Sequence, residues 1–496
     1  MDEANRNDLP AIDHAHANAM KQGAGTQLLL LTRVLAIGPV FAQLLLLTAS
    51  PVLTRIFLPS AFAEIAVFLL AGGALASLAC LKLDNAIIKE RSTGNAARAA
   101  MVALTSVVVF SISAGMVTLL VAVAFDNPKL KWYCVLLVAY LFVGGVYDIL
   151  NALALRKQLA RVVTRGRIIL AVASLVAQIT LGVYLGDARF FVFGLVLGYL
   201  VATADLARAL RIRLLPGLSR SMVREVLSRN ASDTTHGSFS ALLFTVGNNI
   251  PAVILTLTAG PTIGGYFALL QRVAFNPVLI LTTLLTQSML PWLAKHRTNA
   301  ARQIMLLTAS KLAWFFLGIS LLMLPLAEAF FAFAFGEVWR KAGTFAAVLL
   351  LVLPCRVAFE VLANLLVVEN RQAPLFLIRA FNLAVGLLVL LVFSMQHPKL
   401  LFFVYALFQT MVALIGIFVI NKVTGLNALR FITHLAFVVG SAHVLVALYM
   451  NPYRGSFDTM PLALLSLALG AALLGWSAFG FRTLLRSLKD DAQPTN

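Results

Sequence analysis

The stretch AAMVALTSVVVFSISAGMVTLLVAVAF, residues 99–125, contains no charged side chain. An apolar α-helix of roughly 20 residues is long enough to cross the hydrocarbon core of a bilayer. Within lipid, every backbone N–H and C=O group must be hydrogen-bonded inside its own segment, so the stretch predicts a membrane-spanning helix.

Fourteen apolar stretches of this kind, including this one, lie along the chain. The fourteen stretches lie near residues 28–53, 61–81, 99–125, 132–155, 168–186, 189–210, 236–259, 263–292, 306–333, 342–367, 374–394, 399–420, 431–450 and 461–481. The alternating apolar and polar pattern of a lipid-facing barrel strand is absent from the sequence. We therefore predict an all-α integral membrane protein with 14 transmembrane helices.

The composition supports this class. Hydrophobic residues make up 60% of the 496 positions and charged residues only 12%, against about 45–50% and about 25% in soluble globular proteins. This excludes a disordered chain, a disulfide scaffold and a soluble multidomain enzyme. Cys80, Cys134 and Cys355 all lie in apolar stretches, so we expect buried thiols without a disulfide framework or a metal site.

The distribution of basic residues predicts the orientation. The formal net charge is +19, which in a soluble protein would suggest nucleic-acid binding but in a membrane protein reflects the positive-inside bias. With the amino terminus inside, 29 of the 39 Lys and Arg residues fall on the cytoplasmic side and eight on the other. We expect both termini to be cytoplasmic and no nucleic-acid partner.

The chain also contains a weak internal repeat. Residues 51–66, PVLTRIFLPSAFAEIA, and residues 251–266, PAVILTLTAGPTIGGY, each join a long helix to the next one through a short turn with a proline. Six spans per half give both halves one orientation, which indicates a parallel repeat. We predict a polar tail at 1–26, an N-lobe of helices 1–6 at 27–210, a cytoplasmic linker helix at 211–235, a C-lobe of helices 7–12 at 236–421, two extra C-terminal helices at 422–483 and a cytoplasmic tail at 484–496.

The linker segment has a helical apolar face. Leu218, Met222, Val223, Val226 and Leu227 share one side, and arginines occupy the rest of the surface. This pattern is typical of a helix lying on the inner leaflet.

Charged residues within the predicted spans are candidates for a functional site, because each costs about 2.5–3.5 kcal/mol on insertion scales. Arg272 has no carboxylate three or four residues away, so either a cavity ligand or another helix would be its partner. Arg356 precedes Glu360 by one turn, which leaves open a neutralising pair within the helix. Arg33 and Arg55 lie nearer the ends of their helices and are either cavity residues or interfacial anchors.

Acidic residues near the cytoplasmic ends of spans form a second set of candidates. Asp148 and Asp205 lie about two turns and one turn inside spans four and six, and Lys82 and Asp84 follow span two. Together with Glu360 they are our candidates for ion coupling or gating. The alternatives are ion pairs with nearby basic residues and an ordinary position at a loop edge.

Signatures of enzymes are missing from the sequence. There is no Walker loop and no HExxH motif, and no outer loop exceeds roughly a dozen residues, which leaves little room for a catalytic site there. We expect no enzymatic activity, no catalytic residues, no cofactor and no metal.

Several segments, taken in order, resemble one known family. They are LTRIFLPSAF at 53–62, LKLDNAII at 81–88, GYFALLQR at 265–272 with Pro277 and TQSMLP at 286–291, FGEVWRKAG at 335–343, and Leu353-Pro354 with NRQ at 370–372. Together they resemble the polysaccharide and oligosaccharide-lipid flippases of the multidrug/oligosaccharidyl-lipid/polysaccharide exporter superfamily.

The resemblance implies a two-lobed bundle that moves a polyprenyl-pyrophosphate-linked oligosaccharide from the cytoplasmic to the outer leaflet of the bacterial cytoplasmic (inner) membrane, for cell-surface or exopolysaccharide assembly. Related lipid II flippases use cavity arginines on helices one, two and eight, and Arg33, Arg55 and Arg272 occupy comparable places. We add Arg356 as a fourth substrate-binding candidate. Membrane lipid, a polysaccharide polymerase and export proteins are the other expected partners.

Two further functions stay open from the sequence. A cation-coupled multidrug exporter of the same superfamily would have a cavity centred on carboxylates. A membrane glycosyltransferase or polymerase would need a catalytic outer loop.

Overall fold

The computed structural model describes residues 38–90, 92–126, 128–211, 219–231, 233–282, 284–285, 299–369, 371–393, 398–449 and 464–476. Within these ranges the regular structure is helical and contains no strand. The all-α prediction is therefore confirmed for the described part of the chain.

We number the helices in chain order. They are α1 Gly38–Ile56, α2 Pro59–Ala79, α3 Leu83–Lys89, α4 Thr93–Ala124, α5 Pro128–Arg156, α6 Ala160–Leu185, α7 Ala188–Leu210, α8 Arg220–Arg229, α9 Ser238–Thr258, α10 Pro261–Thr282, α11 Asn299–Phe335, α12 Arg340–Leu349, α13 Leu353–Val368, α14 Gln372–Phe393, α15 Pro398–Thr424, α16 Leu429–Tyr449 and α17 Leu464–Trp476.

Thirteen segments of the described chain are long and apolar enough to cross a membrane. One of them, Glu337–Val368, contains both α12 and α13 and the short 3₁₀ turns Glu337–Trp339 and Leu350–Val352. The fourteenth predicted span is represented by α17, a shorter apolar helix. The remainder of that predicted span, and the predicted tails at 1–26 and 484–496, lie outside the described residues.

Several helices begin before the apolar stretch that predicted them. The helix α4 begins at Thr93, where the Ser92 side chain accepts a hydrogen bond from the Asn95 N–H and caps the helix. The helix α6 begins at Ala160 and includes the charged turn around Arg161 and Arg165. Hydropathy marks the hydrocarbon boundary, whereas the helical hydrogen bonds continue through the polar residues beyond it.

The described residues form two compact units. Unit 1 holds those of Met1–Leu46, Leu75–Ala177 and Phe193–Ala241, and unit 2 holds those of Leu47–Ala74, Gln178–Val192 and Leu242–Asn496. The six-helix lobes at 27–210 and 236–421 stay a prediction.

In unit 1, a core of small and aliphatic side chains joins α2, α3, α4 and α5. The side chains of Leu83 and Ile87 in α3 are fully buried in it, and Met222 and Val226 of α8 are buried there as well. A helix is therefore present within the predicted linker, and Met222 and Val226 of its apolar face pack in this core. Leu218 lies outside the described residues, and the position of the helix on the inner leaflet stays a prediction.

In unit 2, close helix approach depends on small residues. A Cβ atom at Gly343 of α12 would overlap the Ala327 carbonyl oxygen of α11. The absence of a side chain at Gly343 thus lets α12 contact the backbone of α11, and most of the Glu337–Val368 segment is buried.

Candidate functional site

A π turn interrupts α10 at Gln271–Phe275. Such turns insert an extra residue into the helix and occur frequently at functional sites. The Gln271 side-chain amide donates a hydrogen bond to the carbonyl of Asn248 in α9. Asn248 lies three residues before Pro251, a proline inside α9 that disturbs the hydrogen bonds of the preceding turn. A hydrogen bond therefore connects the π turn of α10 to the turn of α9 that precedes Pro251.

Arg272 occupies the second position of this π turn. Its guanidinium carbon lies 5.4 Å from the centroid of the Phe191 ring in α7. Its Nε and Nη2 atoms are buried and have no hydrogen-bond partner among the described residues. A guanidinium can only donate hydrogen bonds, in a planar fork that matches phosphate and carboxylate oxygens. The arrangement is suited to an anionic ligand.

Arg356 of α13 lies beside the same turn. Its guanidinium carbon is 5.6 Å from the centroid of the ring of Phe275, the last residue of the π turn. The Glu360 carboxylate is 2.9 Å from Nη2 of Arg379 in α14, and the ion pair with Arg356 considered from the i+4 spacing is not formed. A helical pair is weaker when the acidic residue follows the basic one. Among the described residues Arg356 therefore has no carboxylate partner, and it lies beside the same π turn as Arg272.

Arg55 has an exposed side chain at the end of α1. It donates hydrogen bonds to the carbonyl oxygens of Pro51, at 3.2 Å, and Phe333, at 3.1 Å. Phe333 belongs to the last turn of α11, whose carbonyl groups have no partner within the helix. Arg55 thus links two helix ends in unit 2. Arg33, the fourth arginine candidate, lies outside the described residues.

A group of aromatic side chains surrounds Trp339, which is 1% exposed. The Trp339 indole N–H donates a hydrogen bond of 2.9 Å to the Thr54 carbonyl. Its ring meets the rings of Phe62 and Tyr266 at centroid distances of 5.0 and 5.9 Å. Phe62 in turn contacts Phe191, the ring beneath Arg272. Sequence reasoning assigned no role to these rings, because their contacts join segments far apart in the chain.

The acidic candidates lie in different surroundings. In unit 1, Asp205 forms an ion pair of 3.0 Å with Arg165, as the sequence allowed. Lys82 and Asp84 form a longer pair of 3.9 Å. Asp148 forms no ion pair with any described residue, although its charge interacts with those of Asp84, Lys82 and, more weakly, Arg167.

Three tyrosines lie near Asp148, and sequence reasoning missed them. The Tyr199 ring of α7 meets the rings of Tyr140 and Tyr147 of α5 at centroid distances of 5.7 and 5.5 Å. All three phenols interact electrostatically with Asp148. Aromatic residues in apolar helices are too common for their spacing to indicate such a group.

The described residues contain no group of three or more His, Cys, Asp or Glu side chains that could hold a metal ion. All three cysteines are free and buried. Burial raises the pKa of the Cys80 thiol, just after α2, to about 12, so this thiol stays protonated and unreactive.

Comparisons with known proteins agree with this architecture. A model of a family described as "polysaccharide biosynthesis protein" matches residues 52–344, more than half of the chain. A search of curated proteins found no match.

Solved structures of transporters share the fold. A lipid II flippase MurJ in an inward closed conformation has a TM-score of 0.65 and 10% identity, covering 91% of this chain and 99% of that one. An inward-facing multidrug resistance MATE family transporter of the MOP superfamily has a TM-score of 0.59 and 13% identity, covering 79% and 94%. A mutant of the Vibrio cholerae MATE transporter VcmN has a TM-score of 0.52 and 14% identity, covering 83% and 99%. At these identities the likeness concerns the fold.

Proposed function

Because the chain belongs to the polysaccharide biosynthesis protein family, we propose that it flips a polyprenyl-pyrophosphate-linked oligosaccharide from the cytoplasmic to the outer leaflet. It is a multi-pass membrane protein with the fold of the MurJ and MATE transporters. The proposed mechanism is alternating access, in the bacterial cytoplasmic (inner) membrane and with both termini inside.

The observation that carries the proposal is the unpartnered guanidinium of Arg272 in the π turn of α10. An unpaired arginine inside a membrane segment is costly and normally faces a cavity or a partner. Phosphate oxygens would accept hydrogen bonds from Nε and Nη2 of Arg272, which have no acceptor among the described residues. Arg356 supplies a second positive charge beside the same turn, so that the pair would match the two phosphates of a pyrophosphate.

The chemistry of the cargo explains why such a protein is needed. Each sugar hydroxyl that enters hydrocarbon without a hydrogen bond costs several kcal/mol, so the head group requires a polar path. The membrane potential, negative inside, favours outward movement of the anion by about 2.3 kcal/mol per charge per 100 mV.

The remaining candidate residues have further roles in the proposal. Arg33 and Arg55 are proposed as further ligands, and Arg55 would first have to release the Pro51 and Phe333 carbonyls. Lys82, Asp84, Asp148, Asp205 and Glu360 are proposed to couple ion movement to transport or to gate it. A polysaccharide polymerase and export proteins would act on the delivered cargo, and the protein itself would act as a transporter and not as an enzyme.

The experiment is a flipping assay with purified protein in lipid vesicles. The probe is a polyprenyl-pyrophosphate-linked disaccharide, whose exposure is followed with a sugar-oxidising reagent outside the vesicles. Since a hydrogen bond to a charged group contributes about 1.5–3 kcal/mol, Arg272→Ala should slow flipping by at least tenfold, and Arg272→Lys should restore only part of the rate. Arg224→Ala, at an exposed arginine of α8, is the matched control. Wild-type flipping by Arg272→Ala would contradict the proposal.

A cation-coupled multidrug exporter is the second candidate, favoured by the likeness to MATE transporters. The same vesicles distinguish the two functions, because an exporter would move an organic cation such as ethidium and leave the disaccharide lipid in place. A membrane glycosyltransferase or polymerase would instead transfer sugar in these vesicles when given a sugar donor.

A further inference from the structure

A second polar group lies in unit 1 and is here called the Asp148 group: Asp84, Tyr147, Asp148 and Asn151. Tyr147, Asp148 and Asn151 belong to α5, where residues three and four apart are neighbours on one side of the helix. Asp84 is in the first turn of α3, and its carboxylate repels that of Asp148. Leu83, next to Asp84, and Ile149, next to Asp148, belong to one buried core, so the two helices pack together here.

Three oxygen atoms of this group are buried without a hydrogen-bond partner among the described residues. They are Oδ1 of Asp84, Oδ1 of Asn151 and the hydroxyl of Tyr147. Tyr147 is only 5% exposed, and its phenol interacts electrostatically with Arg167 and, more weakly, with Asp148. Because buried polar atoms are nearly always hydrogen-bonded, three orphaned oxygens, two within one turn of Asp148 and one on the helix packed against α5, point to a ligand.

Only one of the two carboxylates has a cation within ion-pair distance among the described residues. Lys82 is 3.9 Å from Asp84 and is the only described cation within ion-pair distance of either carboxylate. Arg167 acts on Asp148 more weakly than Lys82 does. The titratable and charged groups facing Asp148 are, by element, Cys80 after α2, Lys82 and Asp84 at the start of α3, Tyr140 and Tyr147 of α5, Arg167 of α6 and Tyr199 of α7. Among the described residues, Asp148 therefore has no cation within ion-pair distance, although Lys82 and Arg167 both act on it electrostatically.

The start of α3 is also conformationally strained. Leu81 and Lys82 have φ angles of 50° and 52°, a left-handed conformation that is unfavourable for residues with a Cβ atom. Strained backbone of this kind tends to occur at functional and switch sites. Here it fixes the position of Lys82 and Asp84 relative to α5.

The other end of α3 is connected to the linker helix α8. Nη1 of Arg229 in α8 lies 3.9 Å from the Glu90 carboxylate, which follows α3 directly. Arg229 also pairs with Glu225 at 3.0 Å, and Arg98 of α4 pairs with the same Glu225 at 3.6 Å. Since Leu83 and Ile87 are fully buried between these ends, a shift at Asp84 reaches Glu90 through a packed helix about 9 Å long.

We propose that Asp84 and Asp148 hold one monovalent cation, either a proton or Na⁺, and that α3 transmits its binding to α8. Oxygen ligands are those that hard cations prefer, and a proton would be shared as a hydrogen bond between the two carboxylates. With the charge in place the carboxylates no longer repel, so α3 keeps the position in which Glu90 contacts Arg229. This inference rests on the ion-coupling part of the proposed function, but its test needs neither cargo nor transport, so the two proposals can fail separately.

The test is hydrogen–deuterium exchange of the purified full-length protein, read at residues 220–229 and corrected for the intrinsic effect of pH. We expect exchange in α8 to slow by about threefold, the effect of one ion pair, when the buffer is made mildly acidic or when Na⁺ replaces choline. A response to acid alone identifies a proton, and a response to Na⁺ at constant pH identifies sodium.

Asp148→Asn removes the repulsion permanently, so its α8 should exchange slowly in every buffer. Asp84→Asn should behave in the same way and serves if the first variant does not fold. Asp126→Asn, which changes a paired carboxylate of unit 1 that belongs to neither proposed site, should keep the wild-type response. Two results would overturn the proposal. One is an exchange rate of α8 that changes with neither acid nor Na⁺ in the wild type. The other is an exchange rate of α8 that still changes with either of them in Asp148→Asn.

Discussion

The π turn of α10 and the Asp148 group differ in the sign of the charge that each leaves unpaired. At the π turn, Arg272 and Arg356 face aromatic rings instead of carboxylates. In the Asp148 group, Asp148 lacks a cation within ion-pair distance among the described residues, whereas Asp205 in the same unit has Arg165. This difference is the basis of the two proposals, an anion site in unit 2 and a cation site in unit 1.

The variant with the largest expected effect neutralises the positive charge of Arg356 beside the π turn with a carboxylate that the protein already contains, that of Glu360. In Arg379→Gln, Glu360 loses its partner and becomes free to pair with Arg356 one turn away. Since a hydrogen bond to a charged group contributes about 1.5–3 kcal/mol, neutralising Arg356 should lower both the binding of inorganic pyrophosphate and flipping in vesicles by about tenfold.

A double variant shows whether Glu360 is responsible. Arg379→Gln combined with Glu360→Gln has no carboxylate to neutralise Arg356, so its binding of inorganic pyrophosphate, which needs no ion coupling, should return close to that of the wild type. Equal losses in the single and the double variant would show that Arg379 acts in another way, and that the charge of Arg356 is not what matters.

A smaller effect should follow from changing the ring beneath Arg272. Phe191→Leu keeps an apolar side chain but removes the cation–π contact, which contributes about 0.5–2 kcal/mol. We expect the flipping rate at low substrate concentration to fall by a few fold, without loss of folded protein in a thermal melt.

Phe193→Leu is the control for this variant, because Phe193 is an exposed residue of the same helix α7. A loss of the same size in both variants would mean that the helix, and not the ring under Arg272, is responsible.

The spans could be predicted from the sequence because bilayer thickness and backbone hydrogen bonding leave few alternatives for a run such as 99–125. The depth of Arg272 and its lack of a carboxylate neighbour were visible for the same reason. The polar first turns of α4 and α6 were missed, since apolar content does not mark where helical hydrogen bonds end.

The surroundings of these charges could not be predicted, because they depend on which helices pack together. The i+4 spacing suggested Arg356 as a partner for Glu360, but Arg379 of the next helix takes that place. The π turn at Gln271–Phe275 is a backbone feature without a composition signal, although it sets the positions of both Arg272 and Phe275. The buried oxygen atoms of the Asp148 group that lack a hydrogen-bond partner among the described residues could not be predicted either, because their burial depends on how the helices pack.

The most direct test of the central claim is the binding of inorganic pyrophosphate to the purified protein, measured by calorimetry for the wild type, Arg272→Ala and Asp148→Asn. The account predicts that Arg272→Ala weakens binding by about tenfold or more, while Asp148→Asn binds as the wild type does. Equal affinity in the wild type and in Arg272→Ala would contradict it.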